Sequence, residues 1–167
     1  MGSTRAGGGG GGGTGVSLHI RSALPADAVE ASTVLRRSIT ELCQADHEDD
    51  PARIAVWTAN KTPEEWAAWL QQEDVALYVA VLDQRIAGVG AVTKTGEVRL
   101  NYVSPEARYC GVSKALLARM EKDTLALGVT HCRLESTRTA YRFYCAAGYR
   151  PLNDSDVEGG WMEKRLF

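Results

Sequence analysis

The residues of this sequence best suited to chemistry lie in Val103–Leu117, VSPEARYCGVSKALL. A strand ends at Val103 and Ser104-Pro105 breaks it. A short loop then carries Arg108, Cys110 and Gly111, and a helix opens into Ala115, Leu116 and Leu117. Strand, glycine-containing loop and helix start together aim several backbone N–H groups at one point. The first-turn donors lack intrahelical acceptors, and the aligned peptide dipoles add positive potential. Such a junction suits an anion, and Arg108 supplies a full positive charge beside it. Other chemically capable residues are more scattered. The run Asp46, His47, Glu48, Asp49, Asp50 reads as a solvated acidic loop or as an electronegative rim that attracts an amine. Trp57, Trp66 and Trp69 could wall a pocket, although tryptophan at helical spacing belongs more often to the core, so at least two are assigned to packing. The four cysteines, Cys43, Cys110, Cys132 and Cys145, form no CxxC and no group with the three histidines. No metal site is expected, and reduced thiols in a cytoplasmic protein are the simplest reading.

The elements that position these residues follow from length and patterning. The 167 residues carry a formal net charge of −2, with a pI near 5.9. A general nucleic-acid or anionic-membrane partner would favour a basic face, so neither is expected. The longest apolar run, Val75–Leu82, is far too short to span a bilayer, and no basic segment followed by an apolar one marks export. Residues 1–16, with the glycine run Gly7–Gly13, cannot bury enough surface to offset their backbone entropy and are expected to be a disordered leader. A phosphate-binding role for that run lacks the following Lys-Ser/Thr and a helix start. Residues 17–167 are expected to form one domain.

Leu18–Arg21 alternates as a short strand, and Pro25 and Asp27 suit the start of a helix running to about Cys43. Thr62 and Pro63 start a second helix, with Thr62 as its cap. From Val75 the pattern becomes that of strands: Val75–Leu82, covered on both faces, then Arg85–Lys94, then Glu97–Val103. In the third strand, alternation places Val98, Leu100 and Tyr102 on one face and Glu97, Arg99, Asn101 and Val103 on the other. A helix from about Val112 to Leu127, a strand over Thr130–Glu135, a helix from about Arg138 to Ala147 and two closing strands complete the chain. The predicted order is β-α-α-β-β-β-α-β-α-β-β, a mixed α/β (α+β) domain. Its crossover through the Val112 helix makes the flanking strands parallel.

Two motifs now stand together: R-x-x-G-x-S at Arg108-Tyr109-Cys110-Gly111-Val112-Ser113, and F-Y-C-A-A-G-Y at Phe143–Tyr149. On these motifs the chain, from Leu18 to Phe167, resembles the GNAT superfamily of acetyl-CoA-dependent N-acetyltransferases. It departs from the family pattern at Ser113, where glycine or alanine is usual, and at Thr137, where the family tends to have asparagine. Serine is small and keeps its N–H, and threonine can still hydrogen-bond.

The resemblance implies a central, mostly antiparallel mixed sheet with one splayed parallel strand pair, and transfer of an acetyl group from a thioester to an amine. It places the pyrophosphate of coenzyme A against Arg108 and the N–H groups from Tyr109 to Lys114, that is Tyr109, Cys110, Gly111, Val112, Ser113 and Lys114. The thioester carbonyl would meet the Val103 N–H, with Tyr102 flanking the cofactor arm and Thr137 beside it. Tyr144 takes the position of the family's tyrosine that protonates the departing thiolate. Glu97, on the strand that ends at Val103, is the first candidate for the base that frees the amine, and alternation puts it on the face of Val103; Glu135 is the second candidate. Cys110, inside the pyrophosphate loop, should sit too far from the thioester to carry the acetyl group. The expected acceptor is a primary amine of a small molecule, peptide or protein, reached in a ternary complex without a metal, in the cytoplasm, with a homodimer as one possible assembly. A non-catalytic acyl-CoA-binding regulatory module, or a toxin that acetylates charged tRNA, are the alternatives.

Overall fold

The computed structural model describes residues 17–156 and 158–167, so the glycine-rich leader expected over 1–16 lies outside the described residues. The apolar run reads correctly as an interior strand. β1 (Leu18–Ser22), β2 (Val75–Leu82), β3 (Arg85–Thr93) and β4 (Glu97–Val103) pair antiparallel in sequence order, apart from the helices between β1 and β2. β5 (His131–Ser136), β6 (Arg150–Pro151) and β7 (Gly160–Arg165) complete a seven-stranded sheet of order β1-β2-β3-β4-β5-β7-β6. The one parallel contact is β4 with β5, as the crossover rule requires. Its register covers only Glu97↔Arg133 and Val98↔Leu134, after which the two strands part. This is the mixed, mostly antiparallel architecture expected from the sequence.

Helices cover both faces. On one, α1 (Ala28–Leu42) and α4 (Pro63–Leu70) set Leu35 and Trp66, both fully buried, against Val79, Val89 and Ala91. On the other, α5 (Val112–Ala126) packs Leu116 and Met120 against Ala80, Val92, Val98 and Leu134. The α5 contact is close because β3 carries glycine where the helix crosses. A Cβ at Gly88 would stand 2.6 Å from Val112 Cγ1, 2.9 Å from Leu116 Cδ1 and 3.0 Å from the Tyr102 carbonyl. Glycine here is a packing requirement that sets how deeply the start of α5 can sit.

Three local expectations are corrected. The segment read as an acidic loop is folded. It forms a turn of helix, α2 (Gln44–His47), then left-handed Glu48 and Asp49, then a helix α3 (Pro51–Thr58). The buried His47 ring fixes the turn: Nε2–H donates to the Ile39 carbonyl at 2.8 Å, and Nδ1 accepts from the Asp49 N–H at 3.0 Å. Asp50 starts α3 by accepting from the Ala52 N–H at 2.9 Å, with Pro51 in the first helical position. Second, α6 (Tyr141–Ala146) is shorter than expected, because Thr137 Oγ1 accepts the Ala140 N–H at 3.1 Å and holds a turn ahead of the helix. Third, β4 is not evenly alternating. Ala91 pairs with Leu100 but Val92 pairs with Val98, so Arg99 is an extra, bulged residue. Val98 therefore packs on the α5 side, whereas Leu100 and Tyr102 pack on the α1 side. Counting past the bulge, Glu97 does not share the face of Val103.

Gly88→Ala should cost roughly 1–3 kcal/mol, the usual range for overpacking a closed interface. Urea unfolding measures it, and an unchanged midpoint would contradict the tight seat assigned to α5.

Candidate active site

Between β4 and α5 the chain turns sharply. The Ala107 N–H bonds the Ser104 carbonyl at 3.0 Å and the Cys110 N–H bonds the Ala107 carbonyl at 3.2 Å. Tyr109 (φ 66°) and Gly111 (φ 80°) both take left-handed backbone, which suits glycine and strains tyrosine. These turns bring Gly111 to the helix cap, and the Ala115 N–H makes the bond to its carbonyl, at 3.0 Å. Among the described residues, the N–H groups of Gly111, Val112, Ser113 and Lys114 have no protein acceptor. Four free donors gathered at the positive end of a 15-residue helix make a cradle of the kind that suits an anion.

The cradle opens into a cavity of about 420 Å³, closed by the end of β4, by α6 and by the last turn of α1. Every expected cofactor residue except Cys110 lines it, and so does Tyr144. Cys110 is exposed, its N–H is used within the loop and its Sγ turns toward the Arg108 carbonyl at 3.7 Å. It belongs to the frame of the loop and adds no donor to the cradle. Another thiol, Cys43, does line the cavity, but burial pushes it up to about 12, so it stays protonated and poorly nucleophilic.

Where β4 leaves β5, one edge of β4 faces the cavity. The Ser104 N–H goes to the Ala87 carbonyl on β3 at 2.7 Å. Alternate residues direct their backbone groups to opposite edges of a strand, so the Val103 N–H points into the gap beside β5. Tyr144 stands on α6 across this gap. It is 7 % exposed, and its ring meets Phe143 and Tyr149 edge-on at centroid distances of 5.1 and 5.6 Å. Burial pushes its phenol up to about 12, against a smaller downward pull from the Asn101 side chain.

Asn101 escaped the sequence reading. It lines the cavity, its Nδ2 donates to the Ser113 carbonyl at 3.4 Å, and its buried Oδ1 has no partner among the described residues. An amide on the strand face that ends at Val103 was the signal available. A buried acceptor without a donor is costly.

Glu97, the expected base, does not line the cavity. Its carboxylate pairs with Arg99 at 3.6 Å and Arg133 at 3.7 Å. Glu135 instead lines a small cleft in the β4–β5 gap together with Asn101, Tyr102 and Tyr144. Tyr102 faces the other side, where its hydroxyl accepts from Trp57 Nε1 at 3.3 Å, and burial raises its phenol as well.

The acidic segment is engaged elsewhere than in a rim. Asp46 accepts from the N–H groups of Arg138 (2.7 Å) and Thr139 (3.2 Å) and from the Thr139 hydroxyl (2.6 Å). Glu48 and Asp50 flank Arg53 at 3.3 and 3.7 Å. Asp46 thus ties α2 to the turn that leads into α6, the helix that carries Tyr144.

Residues 43–163 match the acetyltransferase (GNAT) domain. No curated protein is matched in sequence. Among solved structures, the PaiA N-acetyltransferase of Thermoplasma acidophilum in complex with coenzyme A superposes with a TM-score of 0.76 at 23% identity, over 89% of this chain and 99% of that one. A GCN5-related N-acetyltransferase from Rhodopseudomonas palustris gives 0.77 at 21% identity, over 92% and 99%. The ribosomal-protein-S18-alanine N-acetyltransferase of Escherichia coli gives 0.63 at 16%, over 90% and 94%. The chain belongs to the GNAT family of acetyl-CoA-dependent N-acetyltransferases. Among the described residues, no helix is long and apolar enough to cross a membrane.

Asp46→Ala should cost roughly 1 kcal/mol, as for the loss of a helix cap, and should loosen the Tyr144 turn locally. Hydrogen exchange would show faster exchange at Arg138 and Thr139 with α1 unchanged; equal protection in both proteins would contradict the anchoring role.

Proposed function

We propose that this chain transfers an acetyl group from acetyl-CoA directly to a primary amine held in the β4–β5 cleft. One observation carries the reading: the anion cradle, the open β4 edge and Tyr144 share a single cavity of about 420 Å³. The residues fit coenzyme A. The four free N–H groups and Arg108 suit a pyrophosphate, and the exposed β4 edge suits an amide-bearing arm. The cosubstrate supplies an activated thioester, and the chain's residues orient it and manage protons and charge around it. The Val103 N–H lies where a thioester oxygen would gather negative charge, and a preorganised donor there lowers the barrier.

Tyr144 would donate its hydroxyl proton toward the departing sulfur. An ordinary thiol has a pKa of about 8.5, and the Tyr144 phenol sits near 12. Complete transfer from the phenol alone is therefore uphill. The phenol acts chiefly as a hydrogen-bond donor while the C–N bond forms and the C–S bond breaks; the nitrogen gives its proton to a base, which returns it through solvent to the released thiolate. Of the two carboxylates considered, Glu135 has the better placement to receive that proton, since it shares the cleft with Tyr144; Glu97 serves its two arginines. The cytoplasm suits the four free thiols of Cys43, Cys110, Cys132 and Cys145.

Acetylation of an amine panel, followed by release of free thiol, tests the proposal. Stabilisation by acetyl-CoA with no thiol release from any amine would indicate a binding module instead. Tyr144→Phe should lower kcat by about 10²-fold, typical of a lost acid-base contribution, with acetyl-CoA affinity retained. An unchanged kcat with chemistry rate-limiting would contradict the role. Tyr144 acts protonated, and burial moves its titration upward, so it should cause no alkaline loss of activity below pH 10. A Tyr144-dependent fall in that range would contradict the assignment. Glu135→Gln should alter the acidic limb of the pH–rate profile and Glu97→Gln should leave it in place; the reverse pattern would return the base to Glu97.

A further inference from the structure

A second cavity, of about 320 Å³, lies on the α1/α4 face of the sheet, bounded by Lys61, Trp69, Leu77, Arg99 and Leu100. Its chemistry is unusual. Lys61 is 8 % exposed and sits in the link between α3 and α4. Its ammonium donates to Asn60 Oδ1 at 2.6 Å and to the Trp57 carbonyl at 3.4 Å, both neutral acceptors. Among the described residues no carboxylate lies within 4.0 Å of it. Burial therefore disfavours its charged form, and among the described residues only neutral groups offset that cost, with no anion to complete it. The Trp69 ring, 6.0 Å from the ammonium, helps to exclude water from it. Arg99, the bulged residue of β4, brings a second cation to the same cavity, and its Nε lies 3.6 Å from Glu97 Oε1.

The position of this cavity gives the cations a purpose. Arg99 and Leu100 also line the cleft that holds Glu135 and Tyr144, so the two spaces meet along β4. Strand rise is about 3.3 Å per residue and the bulge shortens the advance, so Arg99 and Asn101 stand within roughly 7 Å of one another. A short molecule could place an amine beside Glu135 and Tyr144 and a negative group beside Lys61 and Arg99. Glu97 already offsets part of the Arg99 charge, which suits a monoanion better than a phosphate dianion. We propose that the second cavity binds the carboxylate of the acceptor, so that the amine acetylated by this protein belongs to a small amino acid. This rests on the proposed transfer in the β4–β5 cleft and specifies its acceptor.

The test compares β-alanine, ornithine and lysine with their carboxamides, in equilibrium binding to the coenzyme A complex and in thiol release from acetyl-CoA. At least one carboxylate should bind about tenfold more tightly than its amide, the effect of one charge-assisted contact. Lys61→Met and Arg99→Gln should each reduce that preference toward one. If Lys61→Met does not fold, Arg99→Gln and the loss of preference at high salt decide the matter. Equal affinity for carboxylates and amides, or no binding of any of them, overturns the proposal. A preference that survives both substitutions overturns it as well. A preference abolished by both substitutions, with no thiol release from any amine, supports the carboxylate site and contradicts only the acetyl-transfer reading.

Discussion

The structure depends on a sheet that is deliberately left unfinished. β4 and β5 pair in parallel through two positions and then separate, exposing the backbone of β4 inside the protein. An unpaired edge in the interior is costly, since its N–H and C=O groups have lost water without gaining partners. Among the described residues, the fold surrounds the gap with polar groups that lack a protein partner, which the proposed cosubstrate would supply. α5 begins there with four free donors, Asn101 holds an unpartnered Oδ1, and Tyr144 closes the far side. A peptide-like arm with an anionic head would satisfy the edge and the cradle together. Binding and sheet completion are then the same event.

Around that gap, rigidity comes from contacts between segments distant in sequence. Gly88 lets α5 approach β3 closely enough to fix the cradle. Asp46 reaches the turn before α6 from a segment more than 90 residues earlier in the chain, so the helix carrying Tyr144 is tethered at its start. His47, buried beneath that tether, packs edge-on against Trp57 at 6.3 Å, and Trp57 in turn donates to Tyr102. Helices α2 and α3 and strand β4 are thereby joined through a hydrogen bond and an edge-on ring contact. Two phenols held neutral by burial, Tyr102 and Tyr144, flank the gap without adding charge to it.

Much of this was legible in the sequence because it depends on local pattern. The continuous run Val75–Leu82, the turn residues of the meander and the Arg108–Ser113 loop each carry their own signal, and together they place Val103 beside a helix start. What was not legible depends on register or on distant partners. One extra residue at Arg99 turns the lower half of β4 over and removes Glu97 from the face of Val103, and no periodicity count can place a bulge before pairing is known. The acidic stretch looked like a solvated loop because its charges dominate the composition. Its fold comes from a buried histidine and from caps whose partners lie up to 93 residues away. Cys110 sits within the motif but turns its thiol outward, and Asn101 lies outside the motif but points into the cavity.

The most direct test of the central claim is residue-resolved hydrogen exchange with and without acetyl-CoA. The amides of Val103 and of Gly111 through Lys114 should gain protection on binding, with those of α4 unchanged, because the open edge and the cradle are the parts that the cosubstrate completes. Protection confined to other segments, with Val103 and the start of α5 exchanging as before, would contradict the view that this gap is built to be filled.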